Sequence, residues 1–576
     1  LDKHLAWRQD GQYDFRIHDT AVDRLSAAFD KQAGGFSRAP KFPSPGILQY
    51  LMTYHAAQPC NGRLDRERAE QALSMTMATL RAMARGGIFD HLGGGFHRYA
   101  TDGQWQVPHF EKMLYDNAQL LSAYSQAYHL TADREMAKTA RRTADYVLRD
   151  LQHPAGGFYA AEDADSRLIN TAQESNGDAA PNHKKEGAFY IWTTDEIDNW
   201  LAPPDAAVLK HHSNIRPSGN AIQDPHGEFD GFNILFQARP IAETAAALSQ
   251  TEAEVAAAIE RAHQQLFTAR AAKPRPHCDR KIITAWNGLM ISALAQAYQA
   301  FGDARYLTAA RRAADFILGH LYNHASQSLF RCRVDNAPEI PGIADDHLFF
   351  VQALLDLYAS DFQLHWLRKA RTLMDKTVAL FYDADAGGFF MTRRGHDPNL
   401  ILRVKEDSDG VLPSAASVGA LNLIRLARLT GREEFTAMAQ KTFNTGLTRM
   451  QAYPEALTVM LTAALHAEAP LVQVVVTGSA DDSVTAAMVA ASRTPRVIGN
   501  TLVVVDNETA RQQLAAEVPF ALQAAEPHDP PRAWVCINRS CRHPVASAEA
   551  LQAVLDTAIV NPPPSPTSGI ARPGQL

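Results

Sequence analysis

The chain has 576 residues, 46% hydrophobic and 21% charged, an ordinary globular mixture. At roughly 150 residues per domain it has room for about four domains or one large closed architecture. No run of about 18 or more apolar residues occurs, so no membrane helix is expected. With 56 basic and 63 acidic side chains the net charge is −7, which argues against a broad basic face for nucleic acid. Five cysteines (Cys60, Cys278, Cys332, Cys536 and Cys541) are too few for a disulfide framework and lack metal-ligand spacing. The expectation is a cytoplasmic protein with reduced thiols, no metal and no cofactor. No secretory signal is legible, and the chain opens on Leu1 rather than Met, as a processed or truncated product does.

Residues 1–19 read as a linker from an upstream segment, followed by a helix over about 20–33 that ends at Gly34-Gly35-Phe36. From there a repeat appears. A helix ending at Tyr128, a break, a second helix and a Gly-aromatic turn at Phe158 recur at Tyr298 to Phe330 and at Tyr358 to Phe389. The spacings are 30, 32 and 31 residues. Similar units lie at 45–96, 109–158, 341–390 and 411–450. Leu289, Ile291, Leu294, Ala295 and Tyr298 keep a near 3.6-residue period, and Gly302-Asp303 supplies the break and the next N-cap. The period is that of a helical-hairpin array.

Residues 160–270 are irregular and are expected to hold one hairpin with long insertions. The helix near 20–33 and one near 453–467 both lack a partner, and pairing them closes the array into a ring. The prediction is therefore mainly α: an (α/α) toroid of six to seven helical hairpins over 20–468. Beyond it, β-branched runs such as Leu471–Gly478 alternate with Ala-rich helices, a small α/β unit over 469–560. The Pro/Ser/Gly-rich tail 561–576 reads as disordered.

In such a ring, loops at one end converge on the cavity mouth. The densest stretch is 86–117, with His91, His97, Arg98, Tyr99, Asp102, Trp105, His109, Glu111, Lys112, Tyr115, Asp116 and Asn117. A helix starting near Pro108 would put Glu111 and Tyr115 one turn apart. Acid/base groups with aromatic platforms suit a polar ring, and the plainer reading is a capping network around a buried turn. Glu162, Asp163 and Asp165 repel one another, as a general acid or a solvated acidic loop does. Glu186, Tyr190 and Trp192 read as a short strand. Trp286 and Asn287, then Asp345, Asp346 and His347, then Lys405, Glu406, Asp407 and Asp409, each precede or open the first helix of a hairpin. Taken singly they are N-caps; together they ring one mouth. His211 and His212 read as surface residues. No G-x-G-x-x-G or P-loop is present.

The segments at 34–45, 93–121, 156–166, 186–193, 281–290 and 411–417 resemble the spermatogenesis-associated thioredoxin-like proteins and their bacterial homologues, whose shared domain has no assigned function. The resemblance spans nearly the whole chain. It implies a toroid of the six-hairpin glycosidase type, similar to N-acylglucosamine 2-epimerases and mannose isomerases. The thioredoxin-like domain of those proteins precedes the matching region, so a redox role has no residues to rest on here. Asp346-His347-Leu348 stands where the family usually has Asp-Tyr-Ala, and Pro413-Ser414-Ala415-Ala416-Ser417 where it has Pro-Ser-Gly-Asn-Ser.

The expected function is sugar epimerase or isomerase chemistry on a small sugar-like ligand. His97 and His109 serve as base and acid, and Arg98 steadies the enolate. The alternative is a glycoside hydrolase in which Glu111 pairs with Asp163 or Asp346. Trp105, Trp192 and Trp286 would stack on the sugar. Tyr99, Tyr115, Asp116, Asp165, Glu186, Asn287, His347 and Glu406 would bind it. A second alternative is a non-catalytic toroid that binds a ligand or a protein partner.

Overall fold

The computed structural model describes residues 13–60, 62–168, 184–221, 227–334, 340–395, 399–479, 482–495, 497–523 and 530–560. The tail 561–576 and most of the expected linker lie outside them. Helices α1 (Ile17–Ala28), α2 (Pro45–Ala57) and α3 (Arg66–Arg85) precede α4 (Leu114–Thr131) and α5 (Arg134–Tyr146). The insertion contributes α6 (Thr194–Trp200), α7 (Pro203–His212), α8 (Ile241–Leu248) and α9 (Glu252–Arg270). Then come α10 (Thr284–Phe301), α11 (Ala304–His320), α12 (Ala344–Asp361), α13 (Leu364–Phe381), α14 (Ala415–Thr430), α15 (Glu433–Ala452) and α16 (Thr458–Glu468).

The inner helices α2, α4, α10, α12, α14 and α16 pack each on the next, and α16 returns to α2, so the ring closes with six members. They are buried nearly all round; α4 buries Leu114 through Ser125 without a break. The outer helices α3, α5, α11, α13 and α15 each back an inner one. They are amphipathic: α5 buries Met136, Thr139, Ala140, Thr143 and Ala144, a helical stripe. The sixth outer place belongs to α1, packed on α3 and on the turn Pro454–Ala456 that leads into α16. The Tyr54 hydroxyl donates to Asp19 at 2.5 Å, and Arg24 donates to the Ala452 carbonyl at 2.5 Å. The two expected partnerless ends thus meet.

The Gly-aromatic turns are stitched by two devices. In three of them an aspartate caps the turn with one oxygen and receives a lysine on the other. Asp30 Oδ1 accepts from the Gln32 and Ala33 amides and Oδ2 from Lys41 Nζ at 2.6 Å. Asp90 with Lys112 (2.8 Å) and Asp383 with Lys405 (2.7 Å) repeat the arrangement. Each lysine also donates to a turn carbonyl, of Gly34, Gly94 or Gly387. Gly95 is required where it stands: φ is +77°, and a Cβ would lie 2.3 Å from the Tyr146 ring.

The second device sits at the fourth residue of an inner helix. Asn117 accepts from the Phe96 amide at 2.8 Å and donates to the carbonyls of Phe96 and Met113. Asn287 does the same for Phe158 and Ile283. His347 takes that place in α12: Nε2 accepts from the Leu329 amide at 3.1 Å and Nδ1 donates to Ile343. A neutral imidazole has one donor fewer than an amide, and the Gly342 amide supplies the missing bond to the Leu329 carbonyl at 2.8 Å.

The insertion departs from expectation. Helix α4 packs directly on α10, so the described residues between Gln152 and Ile283 add no hairpin to the ring. Helices α6–α9 instead build satellite cores of their own, around Trp192, Ile197, Leu209 and Leu266 and around Val208 and Val255. His212, expected on the surface, is buried on α7 against α9, where burial lowers its imidazole to about 4.

After α16 a four-stranded sheet has the order Thr501–Val505, Val472–Thr477, Arg532–Ile537, Ser540–Cys541, the first pair parallel and the rest antiparallel. It is joined by α17 (Ser483–Ser492), α18 (Glu508–Ala515) and α19 (Ala548–Val560). Cys536 and Cys541 form a disulfide, against the expectation of free thiols. The hairpin sets them directly opposite, with Cα atoms 3.9 Å apart. Arg428 of α14 fixes this unit to the ring by donating to the carbonyls of His466, Ala469, Pro470 and Gly499. Among the described residues no helix is long and apolar enough to cross a membrane.

Candidate active site

The mouth lies where the inner helices start. The expected helix at Pro108 is absent, and α4 begins only at Leu114. Asp102 prevents an earlier start: its carboxylate accepts from the amides of Gln104, Gln106 and Val107, folding the chain into a tight loop. Tyr99–Ala100 then pairs antiparallel with Pro108–His109, and the Arg98 amide donates to the Glu111 carbonyl. The effect is to line up alternate residues of an extended segment instead of one helix face.

That alignment gathers Arg98, Tyr99, His109, Glu111 and Glu186. Arg98 Nη1 lies 3.0 Å from Glu111 Oε2, His109 Nδ1 lies 2.7 Å from Glu186 Oε1, and His109 Nε2 lies 3.7 Å from Glu111. Tyr99 stacks on the His109 ring at 5.0 Å. Asp165 opposes Glu186 across the strand pair Asp165–Arg167 and Lys184–Glu186. Next to the cluster, on the first turn of α4, Asp116 is buried and its Oδ2 has no partner. Tyr115 meets half-buried Trp286 of the adjacent α10 edge-on at 4.8 Å.

The electrostatics divide these groups sharply. Glu111 and Glu186 hold the His109 imidazole protonated, up to about 9, and His109 in turn lowers both carboxyls. Burial raises Asp116 well above the carboxylate range despite the field of Arg98. Tyr115 is likewise pushed up to about 12 by burial.

Other expected residues stand elsewhere. His97 is 2% exposed, bonded to the Phe110 carbonyl at 2.9 Å, and driven neutral by burial and by Lys112. Its ring meets Phe110 and Tyr190, whereas His109 meets Tyr99, Glu111 and Glu186, so the two histidines share no partner. Trp105 is buried, donating to the Ala33 carbonyl. Trp192 is buried under Lys273 in the satellite core. Neither offers a face to a ligand. Asn287 and His347 are the turn clamps described above. Asp346 is fully buried and accepts from the Ala285 and Ile343 amides. Asp163 is exposed, away from its neighbour Glu162, which is buried against Tyr146 and Arg275. Glu406 does reach the mouth, beside Asp345 of α12.

The chain is 36% identical over 558 residues to spermatogenesis-associated protein 20 of Homo sapiens and 34% identical to that of Mus musculus. In both cases the match covers 94% of this chain and 69% of the relative. An uncharacterized protein of Caenorhabditis elegans is 33% identical, covering 93% and 73%. The chain belongs to the spermatogenesis-associated protein 20 family. No family model matches it. Among solved structures, a cellobiose 2-epimerase from Bacillus thermoamylovorans is similar over 74% of this chain and 84% of its own, at 9% identity and a TM-score of 0.44. A D-mannose isomerase gives 76% and 88%, 11% identity and 0.44.

In this member of the spermatogenesis-associated protein 20 family, sequence reasoning undervalued Asp345, treating it as a cap. Burial and Glu406 raise its carboxyl to about 7, and its Oδ1 is buried without a partner. The Asp-Asp pair opening α12 was visible; which of the two would cap and which would stay free was not. A cavity of about 440 Å³ lies deeper in the ring, lined by Gln49, Gln119, Asp356 and Arg425 among others. Gln119, in its wall, donates to the Val411 carbonyl at 2.9 Å.

Proposed function

We propose that this protein is a carbohydrate-active enzyme whose mouth cluster performs acid/base chemistry on a glycosidic bond. What carries the reading is one juxtaposition: Glu111 and Asp116 sit around the same Arg98 guanidinium in opposite environments. Glu111 is ion-paired, and Asp116 is buried with an unpartnered oxygen. A carboxylate held ionised beside a carboxyl that burial shifts toward its protonated form is the division of labour glycoside cleavage uses. Asp116 donates a proton to the leaving oxygen, and Glu111 stabilises the positive charge that grows on the sugar ring or activates water. The Tyr115–Trp286 pair provides an aromatic wall for the ring.

The epimerase reading is less well supported. His97 is buried, and His109 is already protonated at neutral pH, so neither is a free base for a carbon-bound proton. The test incubates purified protein with oligosaccharides and with free aldoses, ketoses and N-acyl sugars in D₂O. Released reducing ends that vanish in Glu111→Gln and Asp116→Asn are expected. Deuterium at C2 without new reducing ends would replace this reading with an epimerase. Neither product, with no thermal shift by any sugar, would leave a non-catalytic binding toroid.

A further inference from the structure

The cavity inside the ring differs in chemistry from the mouth. Its far end is lined by the C-terminal halves of the inner helices and by Ser492, Arg493, Pro495 and residues 497–502 of the α/β unit. At about 440 Å³ it has the size of a small-molecule site, roughly 300–1,000 Å³. Three guanidinium groups stand in its wall: Arg425 and Arg428 on α14, and Arg493 just after α17. Against them the wall sets one carboxylate, Asp356 of α12, which is already bound by Arg425 at 2.6 Å and by the Ser292 hydroxyl. Asp361, whose charge acts on Arg493 through space, is taken by Arg311 at 2.8 Å.

Arg428 spends its donors on the four carbonyls that anchor the α/β unit. Arg493 gives only one amino group, to the carbonyls of Ala359 and Ser360, and its Nε is buried with no partner. Two imidazoles in the same wall are held neutral, His466 at about 3 and His129 below its usual range, by burial and by these arginines. The wall therefore carries excess positive charge in a place where an unpaired charge is costly. It also carries buried hydroxyls without partners, Ser125 Oγ and Tyr358 Oη, amid a row of glutamines.

We propose that this cavity is a second ligand site, distinct from the mouth, for a small hydroxylated anion the size of a sugar acid or a sugar phosphate. Arg493 and Arg425 take the anionic head, and Ser125, Tyr358, Gln296 and Gln299 take the hydroxyls. Carboxylate and phosphate heads share this chemistry, and guanidinium forks suit both.

The test measures binding of gluconate, glucose 6-phosphate, inorganic phosphate and neutral glucose to the full chain, by calorimetry and thermal shift. At least one of the two hydroxylated anions should bind and raise the melting temperature; whichever does names the head group. Glucose should bind at least tenfold more weakly. Arg493→Gln should weaken the anion at least tenfold. Ser125→Leu fills the cavity without removing a charge, should do the same, and serves if Arg493→Gln fails to fold. Asp116→Asn, at the mouth, should bind as wild type, which separates failure of this site from failure of the proposed catalysis. No binding by either hydroxylated anion, glucose binding as tightly, or binding lost only in Asp116→Asn would overturn the proposal. Inorganic phosphate binding as tightly as glucose 6-phosphate would overturn its hydroxyl half.

Discussion

At the scale of single residues, the acid chemistry proposed for the mouth rests on Asp116. Asparagine has nearly the same shape and cannot donate the proton of a carboxylic acid. Asp116→Asn should lower glycosidic turnover at least about 100-fold, the usual range for losing a general acid. It should not unfold the protein. Burial raises the Asp116 carboxyl, so the wild-type fold is progressively penalised as pH rises above the ordinary carboxylate value, and an amide escapes that penalty. The variant should match wild type in acid and melt at or above it at pH 8; a lower melting temperature there would contradict the argument. His109 has the opposite consequence. Its folded-state value of about 9 lies above the ordinary 6.5, so the stability it contributes is complete below 6.5 and lost as pH climbs through 9. Thermal melts should show that loss in wild type, and the step should be missing from the profile of His109→Gln.

At the scale of elements, the clamps on the Gly-aromatic turns matter more than the glycines themselves. Asn117→Ala and Asn287→Ala each strip three hydrogen bonds and leave a buried peptide amide and carbonyl unpaired. Each should cost about 2–4 kcal/mol in urea unfolding. Lys112→Met breaks the buried ion pair with Asp90 and leaves that carboxylate facing Arg270 alone, a loss of about 3–5 kcal/mol. These devices explain what the sequence could and could not reveal. Hairpin spacing and helix periodicity were legible, because they depend on residues close in the chain. The Asp30, Asp90 and Asp383 motif was present in the same repeat, four residues ahead of each turn glycine. Its role went unread because the lysine partners arrive 11 to 22 residues later. His97 looked catalytic by its company of glycines and polar residues, and nothing local announced that Phe110 and Tyr190 would enclose it. Asp345 and Asp346 are the reverse case: identical neighbours whose fates diverge because only one reaches the amides of Ala285 and Ile343.

At the scale of the whole molecule, the α/β unit serves as a floor to the ring, held by Arg428, by Arg493 on the Ala359 and Ser360 carbonyls, and by Arg368 and Arg371 on Glu517. Arg428→Met removes four bonds to backbone carbonyls on both sides of the junction. Limited proteolysis should then cut near residues 469–471 at least about tenfold faster, releasing a ring-sized fragment, while far-UV helicity changes little. Intact resistance in that variant would mean that other contacts hold the floor. Closure of the ring has a further consequence, for the order in which the protein is made. Among the inner helices α2 leaves the ribosome first, and α16, its neighbour in space, about 400 residues later. Through almost the whole of synthesis α2 and the most recently made inner helix each present an apolar flank with nothing to cover it. The growing chain is an open crescent with two adhesive ends, and it becomes inert toward its neighbours only when the last helix of the ring snaps in beside the first.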